Sequence, residues 1–160
     1  MTLKILVALD ASEGAWRAVE YVARTFGPTP GVEVTLLNIL TGLPPAFWDD
    51  GHILQDKERE ARQRLVAQWQ VDQEKNWQGL VAKAKETLVA AGIPAAAVAG
   101  KFKTKYFDVA EDIINEAVSA ACSTVVMGRR GLGKAKSLLL GSVTSKVVQN
   151  ARGCTVTIVE

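Results

Sequence analysis

Five short apolar runs recur along the chain with helix-like segments between them, and this alternation restricts the fold more than any other feature. Residues 3–9 are almost continuously apolar (Leu3, Ile5, Leu6, Val7, Ala8, Leu9), as a strand buried on both faces of a parallel sheet should be. Residues 32–40, 98–102, 124–127 and 155–159 repeat the pattern. After the first run, Ser12 is placed to cap a helix carrying Trp16, Val19, Val22, Ala23 and Phe26 on one face, and Gly27, Pro28, Pro30 and Gly31 stop it. A helix starting at Asp108 turns Val109, Ile113, Ile114 and Ala117 inward, and residues 142–151 form the last helix. Strand and helix in alternation from end to end require right-handed crossovers and a parallel sheet covered on both faces. The expected architecture is α/β, a single-domain, open five-stranded parallel sheet.

Residues 55–91 fit this scheme poorly. They are helical in composition throughout and lack proline, and a helix of that length would span about 55 Å, against a radius of gyration near 15 Å for a globule of this size. Something must bend, break or project. The polar stretch 70–76 is the expected kink, with residues 77–91 packing on the sheet and the region around 45–76 forming a helical insertion or flap.

At 160 residues the chain suits one domain, and two compact domains are not expected. Its 48% apolar and 22% charged residues are ordinary for a globular protein, and a net charge of +2, with cations massed only within residues 129–136, argues against a nucleic-acid binder. No stretch approaches 18 apolar residues, and the N-terminus runs directly into a strand, so a cytoplasmic protein without membrane contact is expected. Cys122 and Cys154 follow no pairing pattern and are expected reduced and mostly buried.

The chemistry concentrates in residues 128–142. Gly128, Gly131 and Gly141, followed by Ser142, lie between an apolar strand and a helix, with Arg129, Arg130, Lys134 and Lys136 in the interval. Glycine permits close backbone approach to an anion and positive φ. The free amides and dipole of a helix N-terminus favour phosphate. The Ser142 hydroxyl can cap its helix or meet a phosphate oxygen. Two other readings fit the same residues. Residues 128–135 are one residue short of a Walker A loop, since Ala135 stands where a magnesium-binding Ser or Thr is required. The other rival is a surface loop whose cations are merely solvated.

This spacing, with a strand before and a helix after, resembles the nucleotide signature of the universal stress protein family, in its ATP-binding branch. The resemblance extends to residues 5–10 with Ser12 and to Leu37, Asn38 and Ile39. It implies a Rossmann-like nucleotide-binding fold with strand order 3-2-1-4-5, which sets Asp10 beside Gly128. It further implies that Ala8, Leu9 and Asp10 face the nucleoside, that Ile39 and Met127 flank adenine, and that Gly128, Arg129, Gly131, Gly133, Gly141, Ser142, Val143 and Thr144 hold ribose and phosphates. The ligand implied is ATP, with or without magnesium, and the last strand, 155–159, is implied to form a homodimer. Asp10 has a plainer alternative as a cap of its own turn, and Ile39 and Met127 have one as core. The sequence departs from the family pattern at Asn38, Ser123 and Thr155, and residues 104–108 lack the usual glycine and proline.

Efficient catalysis is not indicated. The single histidine, His52, lies in a loop, and no nucleophile–base pair or metal-ligand cluster stands out. Lysines alone bind substrate and transition state alike. The leading expectation is an ATP-binding, nucleotide-responsive regulatory or stress-resistance module with an unidentified protein partner. A slow ATPase or nucleotide-dependent switch, and a nucleotide-free dimeric interaction protein of the same fold, are the alternatives.

Overall fold

The structure is a computed structural model that describes residues 2–43, 55–132 and 139–160. The described residues form β1 (Leu3–Ala8), α1 (Glu13–Phe26), β2 (Val32–Leu40), α2 (Asp56–Ala90), β3 (Val98–Thr104), α3 (Val109–Ser119), β4 (Thr124–Gly128), α4 (Ser142–Asn150) and β5 (Thr155–Val159). The strands make one five-stranded sheet in the order β3-β2-β1-β4-β5, and every pairing is parallel.

Alternate residues of the strands divide the core into two layers. Ile5, Val7, Leu9, Val34, Leu36 and Val126 pack against α1 and the C-terminal half of α2. Leu6, Leu37, Ile39, Val125 and Met127 pack against α3 and α4. This two-sided burial is why strands 1, 2 and 4 read as continuous apolar runs. Ser12 caps α1 as expected, its hydroxyl accepting from the Ala15 amide at 3.2 Å. Asp108 caps α3 in the same way, through the Glu111 amide at 3.0 Å. That hydrogen bond, with the Lys146 ammonium beside it, holds the Asp108 carboxyl below the usual carboxylate range.

The tension over residues 55–91 resolves by projection. α2 is one unbroken helix of 35 residues, about 52 Å long, so the break expected at 70–76 is absent. Its buried residues, Trp77, Ala84 and Leu88, all lie in the second half. Trp77 stacks on Phe102 of β3 with ring centroids 6.1 Å apart. The first half extends past the sheet with Leu65 and Val71 exposed. An unbroken hydrogen-bond ladder outweighs the absence of an apolar stripe in 70–76, because nothing in that stretch, proline included, interrupts it. Pro44, Phe47, Trp48 and His52 lie outside the described residues.

Two local alternatives are decided. The N-cap of α4 is Gly141, not Ser142; Ser142 occupies the first helical position, and no side chain caps this helix. None of Gly128, Gly131 and Gly141 has positive φ; among the described residues that conformation belongs to Gly31, Gly92, Gly153 and Ala121. The cysteines divide: Cys122 is buried, whereas Cys154 is partly exposed, and both are free thiols.

Candidate functional site

The crevice follows from the strand order. From the C-terminal end of β1 the chain passes into α1 on one face of the sheet, and from β4 it passes toward α4 on the other. Two neighbouring strands whose connections diverge leave a gap beyond their ends, where ligands bind in open α/β sheets.

Glycines set the walls of this gap. A Cβ on Gly128 would fall 2.4 Å from the carbonyl carbon of Gly14, and one on Gly14 would fall 2.6 Å from the Arg130 carbonyl oxygen. The first turn of α1 therefore lies directly on the backbone that leaves β4. Beside it, a Cβ on Gly131 would fall 2.9 Å from Asp10 Oδ2. The bare backbone at residue 131 and the Asp10 carboxylate thus share one small space. Close approach, and not left-handed backbone, is what these glycines provide.

Asp10 divides its two oxygens. Oδ1 accepts from the Ser12 amide at 2.8 Å, which turns the chain from β1 into α1. Oδ2 faces Gly131 across the gap. The end of β1 is held from the other side as well: Asn38 Nδ2 donates to the Leu9 carbonyl at 2.7 Å, and the Leu9 amide donates to the Leu37 carbonyl at 2.8 Å.

Arg129 is fastened at three points. Its amide donates to the Val159 carbonyl at 2.8 Å, and its carbonyl accepts from the Gly141 amide at 2.9 Å. Its guanidinium pairs with Glu160 at 2.8 Å. The side chain is thus directed toward Glu160. Thr144 is likewise turned inward: it is buried, and its hydroxyl donates to the Gly128 carbonyl at 3.1 Å. Ser142 is exposed at the start of α4, Val143 is half-buried, and no acidic residue stands in that helix's first turn.

The apolar candidates separate by face. Ile39 and Met127 belong to the α3/α4 layer, 8% and 4% exposed, and half-buried Ala8 packs on the same layer. Leu9 lies in the opposite layer at 1% exposure. Gly133, Lys134, Ala135 and Lys136 lie outside the described residues. Sequence reasoning missed Gly14 as a wall residue and read Asn38 only as a departure from a pattern. The one available signal was the glycine two residues after the Ser12 cap. Among the described residues no group of three or more His, Cys, Asp or Glu could hold a metal ion, and no helix is long and apolar enough to cross a membrane.

A chain ending β1 in a carboxylate and β4 in spaced glycines is matched by known proteins over its whole length. The model of the universal stress protein family matches residues 1–160. A search of the curated proteins finds no match. Among solved structures, hypothetical protein MJ0577 superposes with a TM-score of 0.72 at 23% identity, covering 100% of this chain and 98% of its own. A universal stress protein in complex with cAMP gives 0.63 at 16% identity, covering 99% and 97%. The universal stress protein from Archaeoglobus fulgidus in complex with dAMP gives 0.62 at 16% identity, covering 100% and 98%. Identities this low establish a shared fold.

Proposed function

The chain belongs to the universal stress protein family, and from that premise we propose that it is an ATP-binding, nucleotide-responsive regulatory module. One observation carries the reading: the Asp10 carboxylate and the bare backbone of Gly131 face each other at the β1/β4 switch point. A side chain at 131 would fill the space a ligand needs.

The residues fit an adenine nucleotide. The free amides at the start of α4 and the Ser142 hydroxyl would take phosphate oxygens, favoured by the helix dipole and by a first turn without acids. Asp10 would repel phosphate, so it would accept from a ribose hydroxyl or the adenine amine. Ala8, Ile39 and Met127 would lie beneath the base, and Leu9 would contribute its main chain. Gly133 and Val143 would complete the wrap around the phosphates, while Gly128, Arg129 and Thr144 would hold the walls in place. The bound triphosphate, alone or with magnesium, would supply negative charge that draws these elements together. Two structural neighbours, solved with cAMP and dAMP, support an adenine nucleotide as the ligand class. The β5 edge would serve a homodimer, since an open edge invites pairing, and the nucleotide state would be read by a partner protein in the cytoplasm.

Calorimetric titration with ATP, ADP, dAMP and cAMP tests this reading. ATP should bind, and Gly131→Val should weaken it at least about tenfold, equivalent to about 1.4 kcal/mol, with the circular dichroism unchanged. Equal affinity in wild type and variant would overturn the site. ATP recovered intact after prolonged incubation supports a regulatory module over a slow ATPase, and light scattering at micromolar concentration decides the dimer.

A further inference from the structure

Two sulfur atoms lie at the opposite, N-terminal end of the sheet, away from the nucleotide crevice. Thr124 and Thr155 are register partners at the start of β4 and β5, and the Thr155 amide donates to the Ser123 carbonyl at 2.9 Å. One step back along each strand therefore sets Cys154 beside Ser123, with Cys122 next in sequence. Cys122 therefore lies diagonally across from Cys154, and a strand spacing of about 4.8 Å with a rise of about 3.3 Å per residue makes such a diagonal about 6 Å, within the range of about 4.4–6.8 Å between Cα atoms that a disulfide spans. Both side chains turn to the same layer. Cys122 is a member of the α3/α4 core cluster, and Cys154 packs against that cluster in the same alternation as Val156 and Ile158.

We propose that Cys122 and Cys154 are a thiol pair that closes to a reversible intramolecular disulfide under hydroperoxide oxidation. Their surroundings assign different roles. Cys154 is half-buried and open to attack, and it follows Gly153, a left-handed bend that no neighbour crowds, so its backbone has room to adjust. Cys122 is 6% exposed. Burial, with the nearby Glu116 carboxylate, pushes its thiol up and keeps it protonated. Cys154 reacts first. Its thiolate sulfur attacks one peroxide oxygen, the S–O bond forms as the O–O bond breaks, and hydroxide leaves to be protonated to water. The resulting sulfenic acid is then attacked by the Cys122 sulfur; the S–S bond forms, the S–O bond breaks, and the Cys122 proton leaves with the hydroxide as a second water. Two thiols and one molecule of hydrogen peroxide give one disulfide and two waters. The bond closes a loop containing β4, residues 128–142 and α4, so it ties together the segment that forms one wall of the crevice.

The full chain is treated with hydrogen peroxide, unfolded, alkylated and mapped as peptides without reduction. A cross-linked pair containing Cys122 and Cys154, lost on adding dithiothreitol, is the expected result. In Cys122→Ala, Cys154 should persist as a sulfenic acid captured by dimedone. In Cys154→Ser, a mild change at a half-exposed position, Cys122 should stay alkylatable. Wild type that keeps Cys122 alkylatable while Cys154 oxidises further, or that forms only chain-to-chain links, would overturn the proposal.

Discussion

Gly14 and Gly128 meet backbone to backbone: a methyl group on Gly128 would lie 2.4 Å from the Gly14 carbonyl carbon. No flexible side chain stands at this contact to move aside. Gly128→Ala should therefore destabilise the protein by about 2–3 kcal/mol, the range of overpacking in a rigid setting. Gly14→Ala should also destabilise it, although alanine favours helix by about 1 kcal/mol, because the added methyl meets the Arg130 carbonyl at 2.6 Å. Urea midpoints check both, and a stabilised Gly14→Ala would show that the contact relaxes freely.

Thr144 and Ser142 sit two residues apart with opposite roles. Thr144→Val removes a buried hydrogen bond to the Gly128 carbonyl and should cost about 1–2 kcal/mol of stability. Ser142→Ala leaves the cap at Gly141 intact, so its stability should change by less than about 0.5 kcal/mol while ATP affinity falls. Thermal melts and ATP titration of the pair separate architecture from ligand contact.

Glu116 ties α3 to β3. It is 3% exposed, with Lys101 Nζ at 2.5 Å from one oxygen and Lys103 Nζ on the other. Burial pushes its carboxyl up, yet hydrogen bonds and charge from both lysines hold it below the ordinary glutamate range. A depressed folded pKa contributes stability above the unfolded value and loses it as pH falls through the glutamate range and below. Glu116→Gln should remove about 1–2 kcal/mol near neutrality, a figure kept small because the lysines are about half exposed. The variant should also show a flatter stability profile on acidification, measured by urea unfolding across pH.

The two halves of α2 should respond differently to truncation of a large apolar side chain. Trp77→Ala deletes a residue 7% exposed and stacked on Phe102, and should cost about 3–5 kcal/mol. Leu65→Ala touches a residue 58% exposed on the projecting half and should change stability by less than about 0.5 kcal/mol. Chemical denaturation of both variants checks the contrast.

Much of the fold was legible because its strands are buried on both faces. Residues 3–9 and 32–40 advertise that burial as unbroken apolar runs, and Ser12 and Asp108 mark helix starts through chemistry local to a single turn. The end of α2 nearest the sheet was legible from Trp77 and Leu88, but whether residues 70–76 broke the helix was not. Helix continuity depends on a backbone ladder that a polar side-chain pattern neither supports nor forbids. Whether the Ser142 hydroxyl caps α4 or is left for a ligand was not legible, because hydroxyl propensity is a local signal, whereas the cap position is Gly141, whose amide bonds to the Arg129 carbonyl.

By itself the sequence determined the alternation of elements, the two-layer core, the family resemblance and the glycine spacing, since each rests on residue type or near-neighbour spacing. Only the tertiary structure decided which glycine meets which backbone, that Arg129 reaches Glu160 and Thr144 turns inward, and that Asp10 shares its space with Gly131. Those relations join segments more than a hundred residues apart, or resolve choices between equal rotamers. Steric exclusion at a packed backbone selects among them, and that selection exists only once the sheet has brought β1 beside β4.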